Sequence, residues 1–209
     1  MPLDTFLKMP EHRRQSIIHS GIAEFSKKSF ADASTDAITK QCGISKGIIF
    51  HYFSSKKAFY LYCLEHAMKV ITPQKSPLAC DWYSNIFGLL ESRMHICQQH
   101  PDEIRLSIMA YKETSGEVKD EKNQLLTRYH SKTWFETTKI ITQSLEQISL
   151  KKSTDKKKAV AAFQIYTQTL INRYSERYQE RPDAFFANAI SLRLEFREYL
   201  DFMLAGLAE

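Results

Sequence analysis

The sequence predicts an all-α protein, and three observations lead to that prediction. The 209 residues include six glycines and six prolines, too few for the many tight turns of an all-β chain. Apolar side chains recur every three or four residues over most of the chain, which is the spacing of one helix face. Residues 35–59, TDAITKQCGISKGIIFHYFSSKKAF, have the pattern of two short helices joined by a tight turn and followed by a third helix.

Residues 1–10 are expected to form a loose arm ending at Pro10, where a helix can begin. The apolar spacing then predicts a helix over about 11–27. Arg13 and Arg14 face away from the apolar side of this helix. Either they are solvated charges at a helix start, or they contact phosphate groups, and the sequence leaves both interpretations open.

The turn of the two-helix motif, residues 42–45, contains the residue types that such a turn needs. Gly43 can adopt a left-handed conformation and end the first helix, while Ser45 can cap the second. Ser34 or Thr35 is expected to cap the first helix. A short glycine turn between two helices makes a helix-turn-helix, whose second helix usually reads the major groove of DNA.

The candidate reading helix is Ser45–Phe53. Ile49 and Phe53, four residues apart, are expected to return to the core. The outward surface is then formed by Lys46, Gly47, Ile48, Phe50, His51 and Tyr52. Gly47 is a poor helix former, and its place here is explained if the backbone approaches DNA closely.

Two lysines lie in the first turn of the following helix, where positive charge opposes the helix dipole. The opposition costs Lys56 and Lys57 roughly a few tenths of a kcal/mol each, which two exposed lysines can tolerate. A DNA phosphate at this helix N-terminus would turn the free-energy cost of the two lysines into a gain, because the free N–H groups and both ammonium groups favour the same anion. We therefore expect phosphate contacts from Thr35, Lys56 and Lys57, with Ser45 also at the DNA surface.

Positive charge is concentrated in the same part of the chain. Residues 1–57 contain nine Lys or Arg and five Asp or Glu, a net charge of +4, against +1 for the remainder. Attraction to DNA phosphates requires such a surplus near the reading helix.

Residues 35–56 resemble the DNA-binding signature of the TetR family of bacterial transcriptional regulators, and the resemblance covers about residues 10–60. The chain departs from the family pattern at Thr39, Cys42, Phe50 and Lys57. The family usually has alanine at the first two positions, commonly tyrosine at the third and often an acid at the fourth. These departures change the expected DNA contacts and leave the helix-turn-helix intact.

The resemblance implies two domains, a helix-turn-helix DNA-binding domain over 1–57 and a helical ligand-binding and dimerisation domain over 58–209. It also implies a homodimer that binds double-stranded, pseudo-palindromic operator DNA, more as a repressor than as an activator, and that a small ligand releases. The last two long helices are predicted over about 155–179 and 183–208, with apolar faces wider than one neighbour needs. Burial within one monomer and a four-helix dimer interface both explain these faces, and the resemblance favours the interface.

After a proline-containing connector at residues 72–80, the central helices are rich in aromatic residues and methionine. Taken singly, such residues usually belong to the core. Together they also have the composition of an apolar small-molecule pocket, and the resemblance implies such a pocket for an apolar or amphipathic effector. The candidate pocket residues are Trp82, Phe87, Met94, Met109, Tyr111, Trp134 and Tyr166.

Enzymatic and metal-binding motifs are absent from the sequence. The seven histidines form no HExxH, and no GxSxG, P-loop or GxGxxG occurs, so we expect neither an enzyme nor a cofactor or bound metal. The alternative is an all-helical enzyme or adaptor in which the helix-turn-helix is only structural. With no signal peptide, no membrane-length apolar run and no CxxC among four cysteines, the chain is expected to be cytoplasmic, with reduced thiols and no membrane contact.

Overall fold

The computed structural model describes residues 2–72 and 81–205, with side chains from residue 5 onward. The described helices are α1 (Pro2–Leu7), α2 (Glu11–Phe25), α3 (Thr35–Cys42), α4 (Lys46–Phe53), α5 (Lys56–Ile71), α6 (Trp82–Gln99), α7 (Pro101–Lys112), α8 (Lys119–Leu145), α9 (Lys156–Tyr178), α10 (Pro182–Ala187) and α11 (Ala189–Leu204). The predicted all-α fold is confirmed. Most of the predicted connector at 72–80 and the expected end of the last helix at 208 lie outside the described residues.

Packing divides the chain into two compact units. The first contains residues 1–72 and 100–130, and therefore α1 to α5, α7 and the first part of α8. The second contains residues 73–99 and 131–209, with α6, the rest of α8, and α9 to α11. The first unit is larger than the predicted DNA-binding domain because α7 packs against both α2 and α5. The functional boundary after residue 57 stays a prediction.

In the first unit α5 packs against both α2 and α7. Gly21 on α2 lies against α5, where an added Cβ atom would come within 2.6 Å of both the Cys63 Sγ and the Phe59 Cζ. Cys63 and Phe59 are themselves fully buried, so neither has room to move aside. Glycine is therefore the residue that allows the two helices to pack at this distance.

The N-terminal residues correct one expectation. The loose arm predicted over residues 1–10 is wrong, because residues 2–7 form α1 and the Phe6 side chain is fully buried. The Phe6 ring centroid lies 4.8 Å from that of Phe53 and 5.7 Å from that of Tyr62. This packing depends on residues far along the chain, which local periodicity does not reveal.

A carboxylate attaches the loop between α2 and α3 to the end of α7. The backbone N–H of Phe30 donates to the Glu113 carboxylate at 2.6 Å, and the N–H of Ser115 donates to its other oxygen at 2.8 Å. Partial burial acts to raise the pKa of Glu113, but the backbone N–H donors outweigh it, so the pKa lies below its ordinary value of 4.5. The charged carboxylate therefore holds the loop that leads into the helix-turn-helix.

A buried lysine closes the same end of α7. The Lys122 ammonium, on α8, donates to the backbone carbonyl oxygens of Ala110 at 2.9 Å and Glu113 at 2.7 Å. Carbonyl groups at a helix C-terminus lack partners within the helix, and the helix dipole favours a cation there. Burial lowers the pKa of Lys122, and the neighbouring Glu113 carboxylate opposes only part of that shift.

The second unit has an aromatic core formed by Phe87, Phe163, Phe185 and Phe196. The single long helix expected over 183–208 is wrong in one respect, because the chain breaks it at Asn188 into α10 and α11. The Asn188 backbone leaves helical geometry, and its side-chain amide donates to the carbonyl of Ala184 at 2.7 Å. This local hydrogen bond competes with helix continuation, as asparagine side chains commonly do.

Gly21→Ala is expected to lower the free energy of unfolding by about 1–3 kcal/mol, because the added methyl group overpacks the contact with α5. This loss should appear although alanine is the better helix former by about 1 kcal/mol. Chemical denaturation followed by circular dichroism measures the difference. Gly88→Ala on α6, where nothing lies within 4 Å of an added Cβ, is the control and should not destabilise. A similar loss in both variants would contradict a specific contact at Gly21.

Glu113→Gln is expected to make the free energy of unfolding less dependent on pH under acidic conditions. Since the folded pKa of Glu113 lies below 4.5, its charged form stabilises the fold above that pH, and the stabilisation disappears as pH falls through the folded pKa. The difference in unfolding free energy between parent and variant should therefore be largest near neutral pH and shrink on acidification. Denaturation curves at several pH values measure it, with the exposed Glu117→Gln as control. A difference that does not change with pH would argue against the charged hydrogen bond.

Candidate nucleic-acid interface

Helix α3 has the ends that the turn chemistry predicts. The Ser34 hydroxyl accepts from the N–H of Ala37 at 3.3 Å, so Ser34 rather than Thr35 is the cap. At the other end Gly43 has φ 66°, in the left-handed region, as predicted. The N–H of Ile44 donates back to the carbonyl of Thr39 at 3.0 Å, which satisfies a carbonyl at the helix end.

Helix α4 has one buried and one exposed side. Ile49 and Phe53 are 1% and 5% exposed, as their spacing predicted. Of the predicted DNA-contacting residues on this helix and at its start, the exposed ones are Ser45, Lys46, Gly47, Phe50 and His51, and the half-buried ones are Ile48 and Tyr52. The structure thus brings seven of the predicted residues onto one short helix and its N-cap.

Ser45 corrects one detail of this picture. It occupies the position before α4, but within the described residues its side chain makes no capping hydrogen bond to the helix. The carbonyl of Ser45 instead accepts from the N–H of Ile48 at 3.0 Å. The hydroxyl is left on the exposed surface at a helix N-terminus, where backbone N–H groups favour an anion.

The turn after α4 is tight because one serine adopts an unusual backbone conformation. Ser54 has φ 64°, in the left-handed region that favours glycine, and its N–H donates to the carbonyl of Phe50 at 2.9 Å. Ser55 then caps α5 as predicted, accepting from the N–H of Ala58 at 3.0 Å. Helix α4 is therefore joined to α5 by two residues only.

The predicted DNA-contacting lysines all have partners within the first unit. The Lys46 ammonium lies 2.9 Å from the Asp36 carboxylate on the exposed surface. The Lys56 ammonium donates to the carbonyl of Ala31 at 3.0 Å and lies 4.9 Å from the Phe30 ring centroid. Lys57 forms an ion pair with Glu121 at 2.6 Å. Exposed pairs of this kind contribute about 0–1 kcal/mol, so a phosphate can replace the internal partner.

Thr35 is the predicted contact that the structure places least favourably, because only 8% of it is exposed. A residue that the sequence did not indicate lies beneath it. The Glu24 carboxylate on α2 accepts from the N–H of Ser34 at 2.8 Å and from the Lys28 ammonium at 2.8 Å. It thereby attaches the start of α3 to α2. Burial acts to raise the pKa of the Glu24 carboxylate, but the hydrogen bonds donated by Lys28 and Ser34 outweigh this effect. The pKa of Glu24 therefore lies below its ordinary value.

The predicted pocket residues do not all belong to one unit. Met109 and Tyr111 lie in the first unit, where Tyr111 is 59% exposed. The remaining candidates lie in the second unit and are Trp82, Phe87, Met94, Trp134 and Tyr166. Phe87 and Met94 are fully buried, whereas Trp134 is 40% exposed. Their part in ligand binding stays a prediction.

Residues 2–72 and 81–205 contain no group of three or more His, Cys, Asp or Glu placed to hold a metal ion. No helix among them is both long enough and apolar enough to cross a membrane.

Similar proteins were found by family, by sequence and by fold. Residues 17–63 match the family model described as "Bacterial regulatory proteins, tetR family". An uncharacterized HTH-type transcriptional regulator of Bacillus subtilis (strain 168), YerO, is 39% identical over 54 residues. That match spans 26% of this chain and 19% of the relative, so the chain covers less than a fifth of that regulator's length.

Solved structures share the fold over nearly the whole chain. A TetR family transcriptional regulator from Chloroflexus aurantiacus J-10-FL superimposes with a TM-score of 0.64 at 21% identity, covering 99% of this chain and 98% of that one. MexZ from Pseudomonas aeruginosa superimposes with a TM-score of 0.68 at 16% identity, covering 93% and 96%. At such identities the likeness concerns the fold. Together these matches show a helix-turn-helix region similar to that of the tetR family of bacterial regulatory proteins, within a fold shared with solved TetR family regulators.

Proposed function

We propose that this protein is a homodimeric transcriptional repressor that binds a pseudo-palindromic operator through α4 and is released by a small amphipathic effector. The observation that carries the proposal is the two-sidedness of α4. Ile49 and Phe53 fix the helix to the core, while Lys46, Gly47 and His51 are exposed on the surface. MexZ, which has the same fold, is described as a key repressor, and this favours repression over activation.

Base contacts are proposed for the outward side of α4. Lys46, Gly47, Ile48, His51 and Tyr52 would lie in the major groove, with Ser45 and Phe50 at its margin. An added Cβ at Gly47 meets nothing within 4 Å, so the protein itself does not require glycine here. Close approach of a DNA backbone supplies a reason for it.

Phosphate contacts are proposed for the N-terminal turn of α5 and for Thr35. Lys56 and Lys57 lie in this turn, and their present partners are a carbonyl and a partly exposed carboxylate. A phosphate would interact with either ammonium and also with the helix N-terminus. Exchange of partners at these two lysines therefore accompanies binding.

The dimer interface is proposed on α9 and α11, within the segments predicted at 155–179 and 183–208. These helices expose large apolar side chains: Ile165 (60%), Ile190 (83%), Leu194 (62%) and Phe202 (81%). Ile190 and Leu194 also border a groove of about 440 Å³ on the second unit. Burying such side chains against a second copy is favourable by roughly 25 cal/mol per Å². A twofold pair of reading helices then spans half-sites roughly 34–36 Å apart.

Effector binding is proposed for the interior of the second unit. The hydroxyl oxygens of Thr167 and Ser175 on α9 are buried, and neither has a hydrogen-bond partner in the part of the chain that the structure describes. A buried hydroxyl without a partner costs about 1–3 kcal/mol. A ligand with an apolar body and a polar group would satisfy one of these oxygens, so we propose an amphipathic effector whose binding disfavours the DNA-bound state.

Selection from random DNA duplexes tests the main proposal, and it should yield an inverted repeat. His51→Ala should change the preferred base at one position of each half-site, since a specific base contact contributes about 1–3 kcal/mol. His95→Ala, which removes an exposed histidine from α6, is the matched control and should select the parent sequence. Recovery of no duplex by the parent protein would reject the DNA-binding proposal.

Phe202→Glu should convert the dimer to monomer, because it places a charge in an apolar interface. The dissociation constant of the dimer should rise at least about thirtyfold, the effect of a 2 kcal/mol hot spot. Sedimentation equilibrium measures it. Phe135→Glu changes an exposed phenylalanine on α8 (68% exposed) and should leave the dimer intact. If Phe202→Glu also leaves it intact, the interface lies elsewhere.

A further inference from the structure

Helix α1 packs against the reading helix α4. The Phe6 ring centroid lies 5.5 Å from that of Tyr52 and 4.8 Å from that of Phe53. The Phe6 pairs with Phe53 and with Tyr62 are edge-to-face, an arrangement that aromatic rings prefer. Phe6 therefore contacts α4 at its core side through Phe53 and at the margin of its outer side through Tyr52.

Tyr52 connects this packing to the DNA-facing surface. Its half-buried ring lies 5.0 Å from the ring of the exposed His51, again edge-to-face. Phe6, Tyr52 and His51 thus form a row of rings that leads from the interior of the first unit to its surface. A shift at the buried end of this row would move the side chains at the exposed end.

Helix α4 needs support of this kind because it is short. Its eight residues make about two turns, far fewer than an isolated helix needs for stability in water. One of the eight is Gly47, a poor helix former, and the buried side chains of the helix are Ile49 and Phe53. The orientation of α4 is therefore determined by what packs against it.

Arg14 on α2 holds α1 in place. Its guanidinium donates to the carbonyl of Leu7, at the end of α1, at 2.7 Å, and it also forms an ion pair with Glu11. A cation at a helix C-terminus is favoured by the helix dipole. The sequence left two interpretations of Arg14 open, a solvated charge and a phosphate contact. The observed contacts agree with neither. Arg14 instead fixes α1 to α2.

We propose that Phe6 is a positioning residue for DNA sequence recognition, through which α1 holds the C-terminal half of α4 so that Tyr52 and His51 meet base edges in one orientation. The proposal rests on the proposed DNA-binding function and adds α1 to the reading apparatus. Loss of Phe6 would reduce discrimination among sequences. It would leave attraction to phosphates intact, because Lys56 and Lys57 are held by partners other than Phe6.

The test compares the full-length parent with Phe6→Ala and Phe6→Leu on the selected operator and on a scrambled duplex of equal length. Phe6→Ala should lower the ratio of operator to scrambled affinity by about fivefold or more, the effect of one mismatched base pair. The affinity for scrambled DNA and its salt dependence should stay unchanged. Phe6→Leu, which refills most of the apolar volume, should recover most of the ratio. Leu7→Ala, an exposed neighbour on α1, is the control and should keep the parent ratio.

Circular dichroism shows whether each variant is folded. A folded Phe6→Ala protein that keeps the parent ratio overturns the proposal. If Phe6→Ala does not fold, Phe6→Leu decides on the same two duplexes: leucine keeps most but not all of the packing, so the ratio of operator to scrambled affinity should fall measurably but by less than about fivefold, and a ratio equal to that of the parent overturns the proposal. A parent protein that selects no duplex overturns the proposed function as well, so the two failures are distinguishable.

Discussion

The close contact of α2 with α5 at Gly21 is the constraint on which the arrangement of the first unit depends. Every part that presents α4 is attached to one of these two helices. Helix α5 follows α4 directly after Ser54 and Ser55, and α3 is attached to α2 because Glu24 accepts from the N–H of Ser34. Helix α7 packs on both α2 and α5, and Glu113 at its end holds the loop before α3. The distance between α2 and α5 therefore determines how α4 is held in the first unit.

The helix-turn-helix was predictable from the sequence because its determinants are local. The left-handed Gly43, the buried pair Ile49 and Phe53, and the cap at Ser55 all follow from residue type and spacing. The helix at residues 2–7 was not predictable in this way. Its stability comes from the packing of Phe6 against residues of α4 and α5, and a periodicity search within ten residues cannot detect such a contact.

The candidate site residues were likewise predictable only where their determinants are local. Ile49 and Phe53 on α4 are buried as predicted. The sequence gives no sign that Lys57 pairs with Glu121 or that Lys56 turns toward Ala31, since those partners come from distant segments. Candidate pocket residues were harder to choose, because aromatic side chains and methionine occur in cores and in pockets alike. Met109 and Tyr111 illustrate the difficulty, since they belong to a different packing unit from the other candidates.

The paired lysines have a consequence for the ionic character of DNA binding. Asp36 and Glu121 act as internal counter-ions for Lys46 and Lys57, and in the proposed complex each carboxylate would be left uncompensated when its lysine turns to DNA. A carboxylate released in this way gathers cations from solution, which offsets part of the cation release from DNA. The affinity should therefore vary less steeply with ionic strength than the number of lysines at the interface implies. Under the proposed function, these internal counter-ions would limit how strongly DNA of arbitrary sequence holds the protein.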